Sequence, residues 1–139
     1  MGNKSIIVIL LITSLFSCKK EEEVLFFEDF SGTSLNTSIW NYELGDGCPN
    51  LCGWGNNERQ IYTKENVQVK DGSLIITATK DSTSYFSGRI TTKNKFEFQY
   101  GTIEAKMKLP EGSGLWPAFW MLGSNISEVG WPKSGEIDI

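Results

Sequence analysis

From Val24 onward, apolar and polar residues alternate with a period of two, which predicts strands throughout and no extended helix. Val24-Leu25-Phe26-Phe27 reads as an opening strand. Asn66 to Lys70 and Ser73 to Thr79 are strand-like runs joined by Asp71-Gly72, and glycine accepts the positive φ of a tight turn, so they predict a hairpin. Gly88 to Thr92 reads as a further short strand. Thr102 to Leu109 is the cleanest alternation, with Ile103, Ala105, Met107 and Leu109 on one face and Thr102, Glu104, Lys106 and Lys108 on the other. Leu115 to Leu122 is an aromatic-rich strand in which Pro117 requires an edge position, a bulge or an irregular ladder. Short strands separated by turns predict an all-β, antiparallel sandwich or barrel. The last strand stops mid-pattern, so the domain is expected to be incomplete, with further strands covering its apolar faces.

The first 23 residues do not share this pattern. Lys4 precedes the apolar run Ile6 to Ile12, which is too short to span a bilayer, and Leu15-Phe16-Ser17-Cys18 follows. That order predicts an export signal over residues 1–17 and resembles a bacterial lipoprotein signal, in which Cys18 would carry the lipid. Residues 18–23, including Lys19-Lys20-Glu21-Glu22-Glu23, read as a charged tether with no apolar face to bury. The charged run also resembles surface-export tags of Gram-negative lipoproteins. The expected location is therefore outside the cytoplasm, lipid-anchored at the outer membrane or cell surface, with residues 24–139 as the folded domain.

Net charge is −4 for the whole chain, and the same from Val24 onward, because Lys4, Lys19 and Lys20 offset Glu21, Glu22 and Glu23. No basic stripe suited to a phosphate backbone is present, which argues against a nucleic-acid partner. The chain has no histidine, so Ser-His-Asp, Cys-His and histidine-metal chemistry cannot be built from it. Carboxylates remain the obvious catalysts. With Cys18 assigned to lipid, Cys48 and Cys52 are left in a Gly- and Pro-containing loop; in an exported protein two thiols favour a disulfide, whereas a metal site would want four ligands.

The strongest candidate chemistry is Glu136-Ile137-Asp138-Ile139. Strand alternation projects Glu136 and Asp138 to one face and sends Ile137 and Ile139 to the core. Two carboxylates on one face suit acid/base or nucleophilic work; a bare E-x-D is otherwise an ordinary exposed edge. Five tryptophans accompany it, and four of them, Trp54, Trp116, Trp120 and Trp131, lie near these segments. Equal parity puts Trp116 and Trp120 on one face if no bulge intervenes. Flat indoles can stack on pyranose C–H faces while amide, carboxylate and guanidinium groups hold hydroxyls; alternatively, indoles fill a sandwich core.

Five segments then carry a resemblance: Trp54-Gly55-Asn56-Asn57-Glu58-Arg59-Gln60-Ile61-Tyr62-Thr63, Ser87-Gly88-Arg89-Ile90, Tyr100-Gly101-Thr102-Ile103-Glu104-Ala105, Trp116-Pro117-Ala118-Phe119-Trp120-Met121-Leu122-Gly123 and Gly135-Glu136-Ile137-Asp138-Ile139. In this order they resemble glycoside hydrolase family 16, and within it the laminarinases, endo-acting β-1,3-glucanases. The resemblance implies a β-jelly-roll with an open polysaccharide cleft and a retaining mechanism. It implies Glu136 as nucleophile and Asp138 as its supporting carboxylate, with a general acid/base glutamate two positions beyond Ile139. It further implies that Asn57, Arg89, Trp116, Trp120 and Trp131 face a β-glucan, with Glu58 as an additional candidate. No cofactor is required; many members bind a structural calcium, to which Glu28 or Asp29 could contribute. A non-catalytic glucan-binding lipoprotein and a non-functional fragment are the competing expectations.

Overall fold

The computed structural model describes residues 23–139. The export signal, Cys18 and the tether up to residue 22 lie outside the described residues. Within them the order is β1 (Asn41–Tyr42), a 3₁₀ turn (Cys52–Gly55), β2 (Gln60–Tyr62), β3 (Val67–Lys70), β4 (Ser73–Ile76), β5 (Thr79–Lys80), β6 (Tyr85–Ser87), β7 (Ile90–Thr91), β8 (Trp120–Leu122), α1 (Ile126–Val129) and β9 (Glu136–Asp138). These strands form small sheets: β1 with β7, β3 with β4, β8 with β9, and β6 between β2 and β5. All pairings are antiparallel except β2 with β6. That exception to the expected pattern is sterically open, because the β3–β4 hairpin and β5 supply the long crossover a parallel pair requires.

The predicted hairpin forms, with Lys70 opposite Ser73 and Val67 opposite Ile76. Asp71 and Gly72 both have positive φ, 52° and 69°, the backbone hand that matches the twist of the flanking strands. Its inner residues Val67 and Val69 are buried together with Leu35. Beside them the buried amide of Asn66 donates to Thr77 O (2.6 Å) and Thr79 Oγ1 (3.1 Å) and accepts from Thr63 Oγ1 (2.8 Å). A buried amide satisfied on three sides stabilises only one arrangement of the segments it joins, here β2, β4 and β5.

Three expected strands depart from prediction. Val24 to Phe27 forms no ladder; only Phe26 is held, by aromatic contacts to Trp40 and Phe96 with ring centroids 6.1 and 4.6 Å away. Thr102 to Leu109 alternates cleanly yet pairs with nothing among the described residues, and Met107 and Leu109 are exposed. Alternation specifies two faces but not the neighbouring edge that a strand must bond to. Leu115 to Ala118 also stays outside the ladder, as Pro117 foreshadowed; Phe119 O accepts from Ile139 N–H (2.9 Å), and the paired strand runs from Trp120. Ile137 and Ile139, expected in the core, are 60% and 53% exposed, because no second layer among the described residues covers that side of β9.

Gly88 leads from β6 into Arg89 where the chain passes hard against the core. A Cβ there would lie 2.3 Å from Val67 Cγ2 and 3.0 Å from Asn66 O, so only glycine fits. We predict that Gly88→Ala destabilises the fold by about 1–3 kcal/mol, the usual penalty of overpacking. A urea unfolding midpoint unchanged from wild type would contradict this.

Candidate active site

The loop before β2 is built to present a tryptophan. Gly47 has φ +84°, and a Cβ on it would meet Leu51 O at 2.0 Å, so the backbone closes tightly there. Cys48 and Cys52 are joined by a disulfide across this turn. Gly53 N–H donates to Asp46 O (2.8 Å), Glu58 N–H donates to Gly53 O (3.1 Å), and Trp54, at φ +51°, donates its indole N–H to Gly45 O (3.3 Å). The resulting orientation lays the Trp54 ring against Arg89.

Arg89 stands at the centre of the site. Its Nε pairs with Glu43 Oε2, and Nη1 lies 3.7 Å from Glu58 Oε1. The guanidinium carbon sits 4.6 Å from the Trp54 ring centroid, 5.0 Å from Trp120 and 5.7 Å from Tyr62. A planar, weakly hydrated cation suits this slot of aromatic faces and carboxylates better than an ammonium would. Glu58, Gln60 and Tyr62 alternate along one side of β2, and Tyr62 Oη donates to Glu58 Oε2 (2.5 Å) while Gln60 Nε2 donates to both Glu58 (3.0 Å) and Tyr62 (2.8 Å). Burial, and then the hydrogen bond to Glu58, hold the Tyr62 phenol above its ordinary range.

The acid strand joins this cluster through register. In β8–β9, Trp120 is opposite Asp138, Met121 opposite Ile137, and Leu122 opposite Glu136. Directly opposed residues share a face, so Trp120, Leu122, Glu136 and Asp138 lie on one side of the hairpin. Trp120 therefore links the Arg89 cluster to the face bearing both acids. Trp131 reaches the same face from the loop after α1, donating its indole N–H to Glu136 Oε2 (2.8 Å).

Glu58, Arg89, Trp120, Trp131, Glu136 and Asp138 are thus tied into one connected face. Asn57 and Trp116 are not: Asn57 is exposed in a left-handed turn at φ +56°, and Trp116 is 90% exposed ahead of the ladder. Reading the sequence did not single out Glu43, Gln60 or Tyr62. The Glu58-x-Gln60-x-Tyr62 alternation was a usable signal for the last two; Glu43 had none, because it meets Arg89 only through the pairing of β1 with β7.

Glu28 and Asp29 accept local hydrogen bonds. Glu28 accepts from Phe30 N–H (2.8 Å) and from the Trp40 indole (3.1 Å), and Asp29 accepts from Ser31 N–H (2.9 Å), which holds its carboxyl below the usual range. Among the described residues no group of three His, Cys, Asp or Glu side chains could hold a metal ion. A hollow of about 500 Å³ beside Leu35, Tyr42, Val67 and Val69 contains none of the candidate residues. Trp131, Glu136 and Asp138 are exposed, so the acid-bearing face is open to solvent.

The described residues thus form a nearly all-β scaffold that carries two carboxylates beside an indole and guanidinium surface. Residues 55–139 match the family described as glycosyl hydrolases family 16, and the chain belongs to that family. It is 63% identical to a crystal structure of laminarinase from Flavobacterium sp. UMI-01, with a TM-score of 0.81 over 84% of this chain and 50% of that one. It is 44% identical over 131 residues to glucan endo-1,3-beta-glucosidase A1 of Niallia circulans, covering 84% of this chain and 19% of that protein. It is also 51% identical over 110 residues to a beta-1,3-glucan-binding protein of Penaeus monodon, covering 74% of this chain and 28% of that one. The fold is accordingly the β-sandwich jelly-roll of the laminarinases, and the chain spans about half the length of the solved one.

Ionising Tyr62 would set a phenolate against the Glu58 carboxylate. The contribution of this bond to stability is therefore complete below the ordinary tyrosine range near 10 and is lost as pH rises through the raised value of Tyr62. In an absorbance titration of the four tyrosines, one should ionise after the others, and Tyr62→Phe should remove that late component. Wild type and variant titrating with the same final step would contradict the assignment.

Proposed function

We propose that this chain carries the nucleophile side of a retaining hydrolase that cuts internal β-1,3-glucosidic bonds in laminarin-type β-glucans. The observation that carries the reading is the register of Trp120 opposite Asp138, which puts the Arg89 and indole surface and both acids on one open face. Likeness to laminarinases supports the choice of glucan. In this mechanism Glu136 attacks the anomeric carbon and forms a glycosyl ester, while a second carboxylic acid about 5 Å away protonates the departing oxygen; that second group then takes a proton from water as the ester is cleaved. Asp138, two residues on along the same face, supports Glu136. The proton donor is a glutamate two positions beyond Ile139. Strict alternation would direct such a residue to the opposite face, so a bulge after Asp138 belongs to the proposal.

The second reading, favoured by the likeness to a glucan-binding protein, is binding without cleavage. The two separate on one comparison. The reading frame continued past residue 139 should encode glutamate at the second position, and the protein so completed should release reducing ends from laminarin. Glu136→Gln should lower that rate at least 10⁴-fold, on the scale of losing a nucleophile, while leaving laminarin binding intact. Binding with no product in both proteins would establish the second reading instead.

A further inference from the structure

Arg89 is the best-connected polar group in the described residues, and Glu43 is the member of its shell that nothing in the motifs explains. Continuing the β1–β7 register beyond Tyr42 opposite Ile90 places Glu43 opposite Arg89, and Glu43 N–H donates to Arg89 O at 3.0 Å. Backbone and side chain of Glu43 therefore both hold the same residue. A guanidinium has five N–H donors in one plane. Glu43 takes Nε, Glu58 stands near Nη1, and the rings of Trp54 and Trp120 lie 4.6 and 5.0 Å from the central carbon. What remains for a ligand is the outer edge of the fork, aimed by whatever fixes rotation about the long side chain.

We infer that Glu43 is a positioning residue: it orients the Arg89 guanidinium in the slot between Trp54 and Trp120 so that the free edge meets sugar hydroxyls on the face that bears Glu136. Both side chains of the pair are largely shielded, at 19% and 25% exposure, so water competes weakly with the contact. The inference rests on the glucan reading for its ligand, but the orientation of Arg89 can be measured without any glucan.

The chain has two arginines, Arg59 and Arg89, so the Nε–H resonances of the full chain are two signals with a built-in exposed reference. In wild type, Arg89 Nε–H should be displaced from the Arg59 position by its bond to the Glu43 carboxylate and the nearby indole rings, and should exchange slowly. In Glu43→Ala, and in Glu43→Asp, whose side chain is one methylene too short, that signal should move to the Arg59 position. Glu43→Gln keeps an acceptor of full length and should keep the displacement. In parallel, titration with laminari-oligosaccharides should show affinity reduced about tenfold in Glu43→Ala and Glu43→Asp, and about threefold or less in Glu43→Gln. Should Glu43→Ala fail to fold, Glu43→Asp gives the same reading. A displaced Arg89 signal that survives both shortened variants overturns the inference, as does full affinity alongside a lost displacement. Wild type binding no oligosaccharide would sink the glucan reading, and the resonance comparison would still decide the role of Glu43.

Discussion

The structure of this site depends on one cation, the Arg89 guanidinium. Arg89 pairs with two carboxylates and lies over two indole rings, and those partners come from three separate stretches of sequence: Glu43 after β1, Trp54 and Glu58 on the turn that leads into β2, and Trp120 on β8. A guanidinium in such a slot is favourable only while every partner stays in place, since an unpaired charge shielded from water is costly. The interaction therefore does more than add stability. It registers the β8–β9 hairpin, with its two acids, against the rest of the chain.

That registration explains why so much apolar surface can remain open without dispersing the site. Ile137, Ile139, Met107 and Leu109 lie bare on the described residues, yet the acid-bearing face is anchored through Trp120 and through the Trp131 bond to Glu136. The core proper is small, Leu35, Val67 and Val69 around the satisfied amide of Asn66, and it supports β2 and β6, from which Tyr62 and Arg89 emerge. The chain spans half of a solved laminarinase, and within that half Arg89, Trp120, Trp131 and Glu136 are connected side chain to side chain or through strand register.

What could be read from sequence alone was what obeys local rules. Asp71-Gly72 specifies its own turn through backbone hand, and alternation places Glu136 and Asp138 together whatever they pair with. What could not be read depends on partners distant in sequence. The pattern of Thr102 to Leu109 is as regular as any in the chain, but a ladder needs a neighbour that the pattern does not name. Parity between Trp116 and Trp120 could not be carried through Pro117, and Glu43 looks like any surface glutamate until β1 meets β7. The motif segments were legible as motifs; the clamp that joins them was not.

The central claim is that Glu136 is the attacking group on this face. It is tested most directly by a laminaribiosyl fluoride deactivated by fluorine at the ring carbon next to the anomeric centre. Fluoride departs without a proton donor, so an attacking Glu136 would form its ester without help from a second acid, and fluorine slows hydrolysis enough for the ester to be trapped. Peptide mapping by mass spectrometry should find one laminaribiosyl group on Glu136 and none in Glu136→Gln. A label on Asp138 or another residue, or no label at all, would contradict the account.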